Sequence, residues 1–302
     1  MADHIDLSII ICTRNRVDKL VPMMFSIAEA AAQTKAVWDL YIMDNLSTDS
    51  TRSAVESFDR TLIPSLHYRY ADRGGKTTSL NTGLAEAQGE IVALLDDDMI
   101  MEKDWMKNLL REFADDPKLN CLGGRVILHD PTDAPTSIRP SEVRQIVSIE
   151  TLDPGYIQVG GGHLAVRRAV VAKVGKFDEL FGPGQPIPAA EDLDFLYRIC
   201  AAEYTILFCP SVVVRHHHGR KASDDVQNLS YGYALSRGAF YAKHILRLRV
   251  VPLKWAVIEF LSIGRTMVAA RRARTTQLAP FTQARALVHG ALRLIKLKLS
   301  GR

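Results

Sequence analysis

The sequence predicts an α/β fold: a mixed, mainly parallel central sheet flanked by helices, followed by a helical C-terminal extension. Short apolar runs alternate with segments of helical spacing over the first hundred residues. From about residue 224 onward the pattern is mainly helical. The chain has 302 residues and is 47% hydrophobic, enough to bury a substantial core, and this excludes a wholly disordered protein.

Strand and helix alternate in the order βαβαβαβ at the start of the chain. The run from Leu7 to Cys12 is apolar apart from Ser8, as is typical of a strand buried on both faces. Between Val17 and Ala31 apolar residues recur three and four apart, which indicates a helix. Further strands are predicted at residues 38–43, 66–70 and 90–95, with helices after Ser47 as a cap and over residues 77–88. This order brings the carboxyl ends of the strands to one edge, where ligands bind.

Beyond residue 100 the alternation is less regular. Surface loops are predicted at residues 130–140, 160–162 and 181–188, a helix at 189–202, and strands at 204–208 and 212–215. We therefore divide the chain into a domain of residues 1–220 and a basic helical region of residues 221–302.

The charge of the chain is unevenly distributed. Residues 246–302 hold twelve Lys or Arg and one acid, Glu259, whereas the first 245 residues hold 33 acids and 26 bases. Basic helices with interleaved apolar residues are typical of peripheral contact with an anionic membrane surface. Packing against the rest of the chain or a partner subunit is the alternative. Sparse aromatic residues and an acidic first domain disfavour nucleic-acid binding.

Several classes of protein are disfavoured by what the sequence lacks. Four scattered cysteines have neither disulfide nor zinc spacing, so a reducing cytosolic location is expected. The N-terminus resembles no signal peptide, and no apolar run is long enough to span a membrane. Residues 13–16 stand where a dinucleotide-binding Gly-x-Gly-x-x-Gly would follow the first strand, and no P-loop motif occurs.

Asp96, Asp97 and Asp98 follow an apolar strand directly. Three adjacent carboxylates repel one another unless a cation lies near them, and Mg²⁺ or Mn²⁺ takes such oxygen ligands and then holds phosphates. An exposed acidic turn is the structural alternative.

Two other segments carry candidate functional groups. Asp192 lies at the edge of the apolar face of its predicted helix, where a carboxylate can act as a general base, whereas Glu191, Asp194 and Arg198 are expected on the polar face. Acidic residues are also common in a first helical turn because of the helix dipole. Of the three histidines from His216, at most two can bind one metal ion, and a solvated loop is the alternative.

In their order along the chain, these segments resemble the family 2 glycosyltransferases, inverting enzymes of the Rossmann-like GT-A fold. The resemblance covers about residues 7–218. The matching segments are residues 8–16, Asp44-Asn45-x-Ser47-x-Asp49, Asn81-x-Gly83, residues 89–98, Gly161-Gly162, residues 174–179, Glu191-Asp192 and His216.

The resemblance implies a role for each matching position. It places Asp192 as the catalytic base, and Asp98 and His216 as ligands of Mn²⁺ or Mg²⁺. Nucleotide-sugar binding is implied for Thr13, Asn15, Arg16, Asp44, Asp72, Arg73, Asp96 and Asp97, and acceptor binding for Gly161, Gly162 and Glu191. No role is assigned to Gly74, Gly75 or Lys76.

The expected function is metal-dependent, inverting transfer of a sugar from a nucleotide-diphosphate sugar, UDP being favoured. The expected acceptor is a hydroxyl of a glycan or lipid-linked molecule at the inner face of the cytoplasmic membrane, in cell-envelope polysaccharide biosynthesis. A sugar nucleotidyltransferase is one alternative, although residues 13–16 lack the glycine it would need. A catalytically silent glycan-binding protein is the other.

Overall fold

A computed structural model of the chain describes residues 4–160, 162–221, 223–272 and 279–301. The strands are β1 (Leu7–Thr13), β2 (Trp38–Asp44), β3 (Leu66–Tyr70), β4 (Ile91–Asp96), β5 (Met99–Met101), β6 (Cys121–Leu128), β7 (Gln145–Val147), β8 (His163–Arg167) and β9 (Ile206–His216). The helices are α1 (Val17–Ala31), α2 (Thr51–Glu56), α3 (Lys76–Glu86), α4 (Trp105–Asp115), α5 (Arg168–Val174), α6 (Glu191–Ala201), α7 (Ser223–Ile245), α8 (Val250–Arg272) and α9 (Ala279–Leu299).

The strands form one mixed sheet in the order β3-β2-β1-β4-β8-β6-β9-β5, with β7 paired to β9. The first four strands in that order are parallel, as the βαβαβαβ pattern predicts. Strand β8 is antiparallel to both β4 and β6, and β6 runs parallel to β9. The mainly parallel sheet with flanking helices is therefore confirmed.

The register of β1 determines which side chains meet at the edge of the sheet. Thr13 lies opposite Asp44 on β2, and Cys12 lies opposite Asp96 on β4. All seven residues of β1 are buried, because helices cover both faces of a strand in the middle of the sheet. A continuous core thus holds the carboxyl ends of three strands in fixed relative positions.

Two local predictions are wrong. Residues 204–208 and 212–215 belong to one strand, β9, which continues through Pro210 because its register with β6 shifts between Gly124 and Arg125. Ser47 does not cap α2, which begins at Thr51; its hydroxyl oxygen instead accepts a hydrogen bond from the backbone N–H of Asn15.

The chain divides into two compact units, residues 1–179 with 192–221, and residues 180–191 with 222–302. The first contains the sheet; the division at residue 220 stays a prediction. In the second unit α7 and α9 cross closely at two glycines. A Cβ added to Gly290 would lie 1.7 Å from the carbonyl oxygen of Leu235, and one added to Gly238 would lie 1.9 Å from that of Leu287.

Glu259 links the three helices of the second unit. Its carboxylate accepts hydrogen bonds from Arg237 on α7 (2.7 Å), Tyr241 on α7 (2.7 Å) and Gln283 on α9 (3.0 Å). Burial alone raises the pKa of Glu259, but the bonds from Arg237, Tyr241 and Gln283 outweigh it and lower that pKa. Among the described helices, none is both long and apolar enough to cross a membrane.

Candidate active site

The three consecutive aspartates lie at the carboxyl end of β4, and each faces a basic side chain. Lys76 Nζ at the start of α3 lies 2.5 Å from Asp96 Oδ1. One Nη of Arg16 donates to Asp97 Oδ1 and to Asp98 Oδ2, both at 2.9 Å. The positive charges of Lys76 and Arg16 offset the mutual repulsion of the three adjacent carboxylates.

Asp97 and Asp98 are both buried but differ in acidity. Burial raises the pKa of Asp97 to about 6, although Arg16 and the hydroxyl of Thr13, which donates to Asp97 Oδ2 at 2.8 Å, favour the charged form. Burial alone would also raise the pKa of Asp98. When His216 is protonated, its hydrogen bond and charge, together with Arg16, outweigh burial and hold the pKa of Asp98 well below its usual range. Asp98 therefore stays charged to a lower pH than Asp97 does.

His216 comes to Asp98 from the end of β9, which β5 pairs in antiparallel fashion. His216 Nε2 lies 3.3 Å from Asp98 Oδ1, and His216 Nδ1 lies 3.1 Å from the carbonyl oxygen of Ser137. Donation from Nδ1 to that carbonyl leaves a lone pair on Nε2, the arrangement of a metal-binding imidazole.

The pair of Asp98 and His216 fits a divalent cation. Asp98 Oδ1 is buried and accepts no hydrogen bond of good geometry, so two acceptor atoms lie 3.3 Å apart and need a proton or a cation between them. One carboxylate oxygen and one imidazole nitrogen are suitable ligands for Mn²⁺. Within the described residues, no group of three or more His, Cys, Asp or Glu side chains converges on one metal position.

The two histidines that follow His216 point elsewhere. His217 Nε2 lies 3.1 Å from Lys19 Nζ, and its ring packs against His129. The ring of His218 packs edge-on against His216, and its Nδ1 accepts from the backbone N–H of Arg220. Of the three histidines, only His216 has a ring nitrogen that faces Asp98. This is compatible with the expectation that at most two of them can bind one metal ion.

Asn15 and Asp44 shape the loops at the end of β1 and β2. Asp44 is 1% exposed; its two oxygens accept from the backbone N–H of Ser47 and from the hydroxyl of Tyr68, each at 2.7 Å. Asn15 has a positive φ of 52°, and its Oδ1 accepts from the backbone N–H of Thr48 at 2.6 Å. Both side chains therefore hold the loop that contains Thr48 in place.

The other two candidates for nucleotide binding are exposed. Asp72 and Arg73 precede α3, and Arg73 forms an ion pair with Glu179. This pair holds the loop before α3 near the segment that follows α5.

Gly160 lies close to Asp192, and Gly162 lies close to Asp96. Gly160 has a φ of 93°, and a Cβ added there would lie 3.6 Å from Asp192 Oδ2; Gly162 has a φ of 83°, and a Cβ there would lie 2.3 Å from Asp96 Oδ2. Side chains would be strained at both positions and would displace Asp96 at the second. Gly161 lies outside the described residues. The glycines thus let the chain pass close to two carboxylates of the candidate site.

Helix α6 arranges its acidic residues differently from the expectation. Asp192 is half-buried, and its Oδ1 accepts from the backbone N–H of Leu193 at 2.7 Å. The prediction that Glu191 and Asp194 lie on the polar face with Arg198 is wrong: Glu191 is 9% exposed and Asp194 is fully buried. Arg198 follows Asp194 inward because it pairs with that carboxylate at 3.0 Å and donates to the carbonyl oxygen of Val174 at 2.6 Å.

Sequence reasoning missed two side chains beside the aspartates. Lys76 begins α3, and the Gly-Gly dipeptide before it was the available signal for a close approach of the backbone. Asn45 fixes that turn, because its Oδ1 accepts from the backbone N–H of Gly75 at 2.8 Å. The pairing of Lys76 with Asp96 depends on a contact between α3 and β4 that no local pattern reports.

Comparisons with known proteins show what this chain is similar to. The model of a family described as "Glycosyl transferase family 2" matches residues 8–175. O-antigen chain rhamnosyltransferase RfbN of Salmonella typhimurium is 25% identical over 196 residues, which are 62% of this chain and 60% of that protein. UDP-Glc:alpha-D-GlcNAc-diphosphoundecaprenol beta-1,3-glucosyltransferase WfgD of Escherichia coli is 38% identical over 85 residues, 28% of this chain and 31% of that protein.

A solved structure shares the fold. Mannosyltransferase PcManGT from Pyrobaculum calidifontis, in complex with GDP-Man and Mn²⁺, superposes with a TM-score of 0.62 at 18% identity, over 97% of this chain and 88% of that one. The chain spans less than two thirds of the length of the curated relatives described above, 60% and 31%.

Proposed function

This chain belongs to glycosyltransferase family 2, and on that premise we propose that it transfers a sugar, with inversion, from a nucleotide-diphosphate sugar to a hydroxyl group. The observation that carries the proposal is the buried pair of Asp98 and His216 at the carboxyl edge of the sheet. Its acceptor atoms face each other at 3.3 Å, and Asp192 lies beyond the glycine segment next to Asp96. A cation site and a separate carboxylate are what this reaction needs.

Negative charge develops on the departing diphosphate, so the site must supply positive charge there. Asp98 and His216 would hold Mn²⁺ or Mg²⁺, which would stabilise that charge when bound. Arg16 and Lys76 are the chain's own cations beside the aspartates and can reorient toward phosphate oxygens. Asp97, with its raised pKa and its bond from Thr13, keeps Arg16 oriented.

Asp192 is proposed as the general base. It would take the proton of the acceptor hydroxyl as the hydroxyl oxygen bonds to the anomeric carbon and the diphosphate oxygen leaves from the opposite face. Its half-buried position at the start of α6 is consistent with this role, because an acceptor must reach it. One displacement inverts the configuration of the sugar. Gly162 and Glu191 are proposed to contact the acceptor, as is Gly161.

The donor is proposed to be a UDP-sugar. The name of WfgD specifies UDP-Glc, whereas the PcManGT structure contains GDP-Man, so the family fold accommodates either nucleotide. Thr13, Asn15, Asp44, Asp72 and Arg73 are proposed to line the base and ribose pocket. Because Asp44 already bonds to Ser47 and Tyr68, we propose that it acts there mainly by holding the loop.

The acceptor is proposed to be a glycan or a lipid-linked glycan of the cell envelope. RfbN extends an O-antigen chain and WfgD acts on a diphosphoundecaprenol-linked sugar, according to their names. A lipid-linked acceptor lies at a membrane surface. We therefore propose that the enzyme works at the inner face of the cytoplasmic membrane, in peripheral contact through residues 246–302.

The experiment that tests the function is incubation of the purified chain with UDP-, GDP- and dTDP-sugars, Mn²⁺ and a diphosphoundecaprenol-linked sugar. We expect a glycosylated lipid from one donor. NMR of the product should show that the configuration at the anomeric carbon is inverted relative to the donor. Retention of configuration would contradict the proposal. In a parallel incubation with nucleoside triphosphates and a sugar 1-phosphate, release of pyrophosphate would instead indicate a nucleotidyltransferase.

A further inference from the structure

Helix α8 has two apolar faces, and only one of them is packed. Its packed side recurs three and four residues apart: Pro252, Ala256 and Ile263 are buried, and Glu259 is partly buried. A second series recurs with helical spacing on the solvent side at Leu253, Val257, Leu261 and Val268, each about half exposed. The solvent side of a helix in a globular protein is ordinarily polar, so this stripe lacks a partner within the described chain.

Helix α9 repeats the arrangement. Leu287, Gly290 and Leu294 are buried against its neighbours. An exposed apolar series recurs on the opposite side at Phe281, Val288, Leu292, Ile295 and Leu299. Helices in the same unit therefore both present aliphatic and aromatic side chains to solvent.

The charged residues beside these stripes are all basic. Exposed cations on the two helices are Lys254, Arg265, Arg285, Arg293, Lys296 and Lys298. The sequence from residue 246 to 302 contains one carboxylate, Glu259, and it points inward to Arg237, Tyr241 and Gln283. The solvent-facing sides of α8 and α9 thus combine apolar stripes with positive charge alone.

We propose that the solvent-facing sides of α8 and α9 bind an anionic phospholipid surface. Side chains such as Val257, Leu261 and Leu292 enter the boundary between headgroups and acyl chains, while Lys254 and Arg265 extend toward lipid phosphates. The proposal deepens the peripheral contact of the proposed function by naming the surface and the lipid class, and it rests on that function only for the location.

The chemistry of this surface disfavours other partners. A second copy of the chain would bring one positively charged surface against another, which costs free energy. A nucleic acid would match the charge but would leave the aliphatic stripes without a partner, because nucleic-acid surfaces are read by charge and by aromatic stacking. An anionic bilayer satisfies both the charge and the apolar side chains.

The test is sedimentation of the full chain with vesicles of phosphatidylcholine alone or of phosphatidylcholine mixed with phosphatidylglycerol. It is done without donor or metal, so its outcome is independent of whether sugar transfer occurs. We expect binding to the mixed vesicles to be at least about tenfold tighter than to the neutral ones and to weaken with salt.

Two double variants and one control identify the face. Val257→Ser with Leu261→Ser should weaken binding to mixed vesicles by about tenfold or more, because it removes apolar area that enters the lipid. Lys254→Gln with Arg265→Gln should remove part of the salt dependence. Leu62→Ser with Val143→Ser changes exposed apolar residues of the sheet unit and should leave binding unchanged. The changed side chains of α8 face solvent, so circular dichroism should show unaltered helix content.

Equal binding to neutral and mixed vesicles, or a Val257→Ser and Leu261→Ser variant that binds as the wild type does, would overturn the proposal. Light scattering provides a further check: a dimer that this variant disperses would assign the face to a second copy of the chain.

Discussion

Two carboxylates, the buried Asp98 in the sheet unit and the partly buried Glu259 in the helical unit, are satisfied to different degrees. Glu259 accepts from three side chains and holds three helices together. Asp98 accepts from Arg16 on one oxygen, while its other oxygen faces His216 Nε2 without a hydrogen bond of good geometry. A buried charge that its own protein satisfies stabilises the fold, whereas one left partly unsatisfied is available to a ligand.

The largest difference between the two carboxylates should appear in catalysis. Asp98→Asn removes the charge proposed to hold the cation, so we expect turnover to fall by at least about 10³-fold, measured as sugar transfer at saturating donor. Glu259→Gln, the matched change in the other unit, should keep turnover within about threefold. A comparable loss of turnover in this variant would contradict a specific role of Asp98 in catalysis.

The proposed base should give the next largest effect. Asp192→Asn keeps the size of the side chain but cannot take a proton, so turnover should fall by at least about 10²-fold. Donor affinity, measured by calorimetry, should stay near that of the wild type, in contrast to Asp98→Asn. Near-wild-type turnover would remove Asp192 from the mechanism.

The largest loss of stability should come from Glu259, in the helical unit. Glu259→Ala leaves Arg237 partly buried without its carboxylate, so we expect a loss of about 3 kcal/mol in the free energy of unfolding of the helical unit. Denaturant unfolding followed by circular dichroism measures it. Glu56→Ala, which breaks an exposed ion pair with Arg52, is the control and should cost far less than Glu259→Ala. Equal losses in the two variants would contradict the role of Glu259.

The smallest predicted effect concerns pH. His163 accepts from Trp105 Nε1 at 2.8 Å, and burial lowers its pKa from 6.5 to about 3. Its folded pKa is depressed, so its neutral form favours folding above pH 6.5, and this contribution is lost as the pH falls from 6.5 toward 3, by at most about 1.4 kcal/mol per pH unit.

Thermal unfolding between pH 7 and 5 checks this prediction. His163→Gln keeps an acceptor for Trp105 but does not titrate, so its midpoint should vary less with pH than that of the wild type. Parallel curves for the two proteins would show that His163 is not the group responsible.

The first half of the sheet could be predicted because its signals are local. Strand β1 is a short run that is apolar apart from Ser8 and the terminal Thr13, and β3 has the predicted bounds at Leu66 and Tyr70. Strand β8 has five residues and is stabilised by antiparallel pairing with β4 and β6. A short sequence pattern does not predict such pairing between distant strands. The continuation of β9 past Pro210 likewise depends on a register shift opposite β6.

The candidate site follows the same division. The aspartates and His216 stand at strand ends, so topology brings them together once the strands are recognised. Lys76 and Asn45 depend on tertiary contacts of side chains, and Asp194 is buried because Arg198 and the end of α5 surround it. Periodicity alone assigned Asp194 to the polar face. A periodic pattern does not show that the partly buried Arg198 pairs with Asp194.

The most direct test of the account is thermal stabilisation by UDP, GDP and dTDP, each with and without Mn²⁺, on the wild type and on Asp98→Asn. We predict that one nucleotide stabilises the wild type only with Mn²⁺, by about 2.7 kcal/mol at 100 times its dissociation constant. Asp98→Asn should abolish this stabilisation. Equal stabilisation of the variant, or stabilisation that does not require the metal, would contradict the claim that Asp98 and His216 hold a cation for the donor.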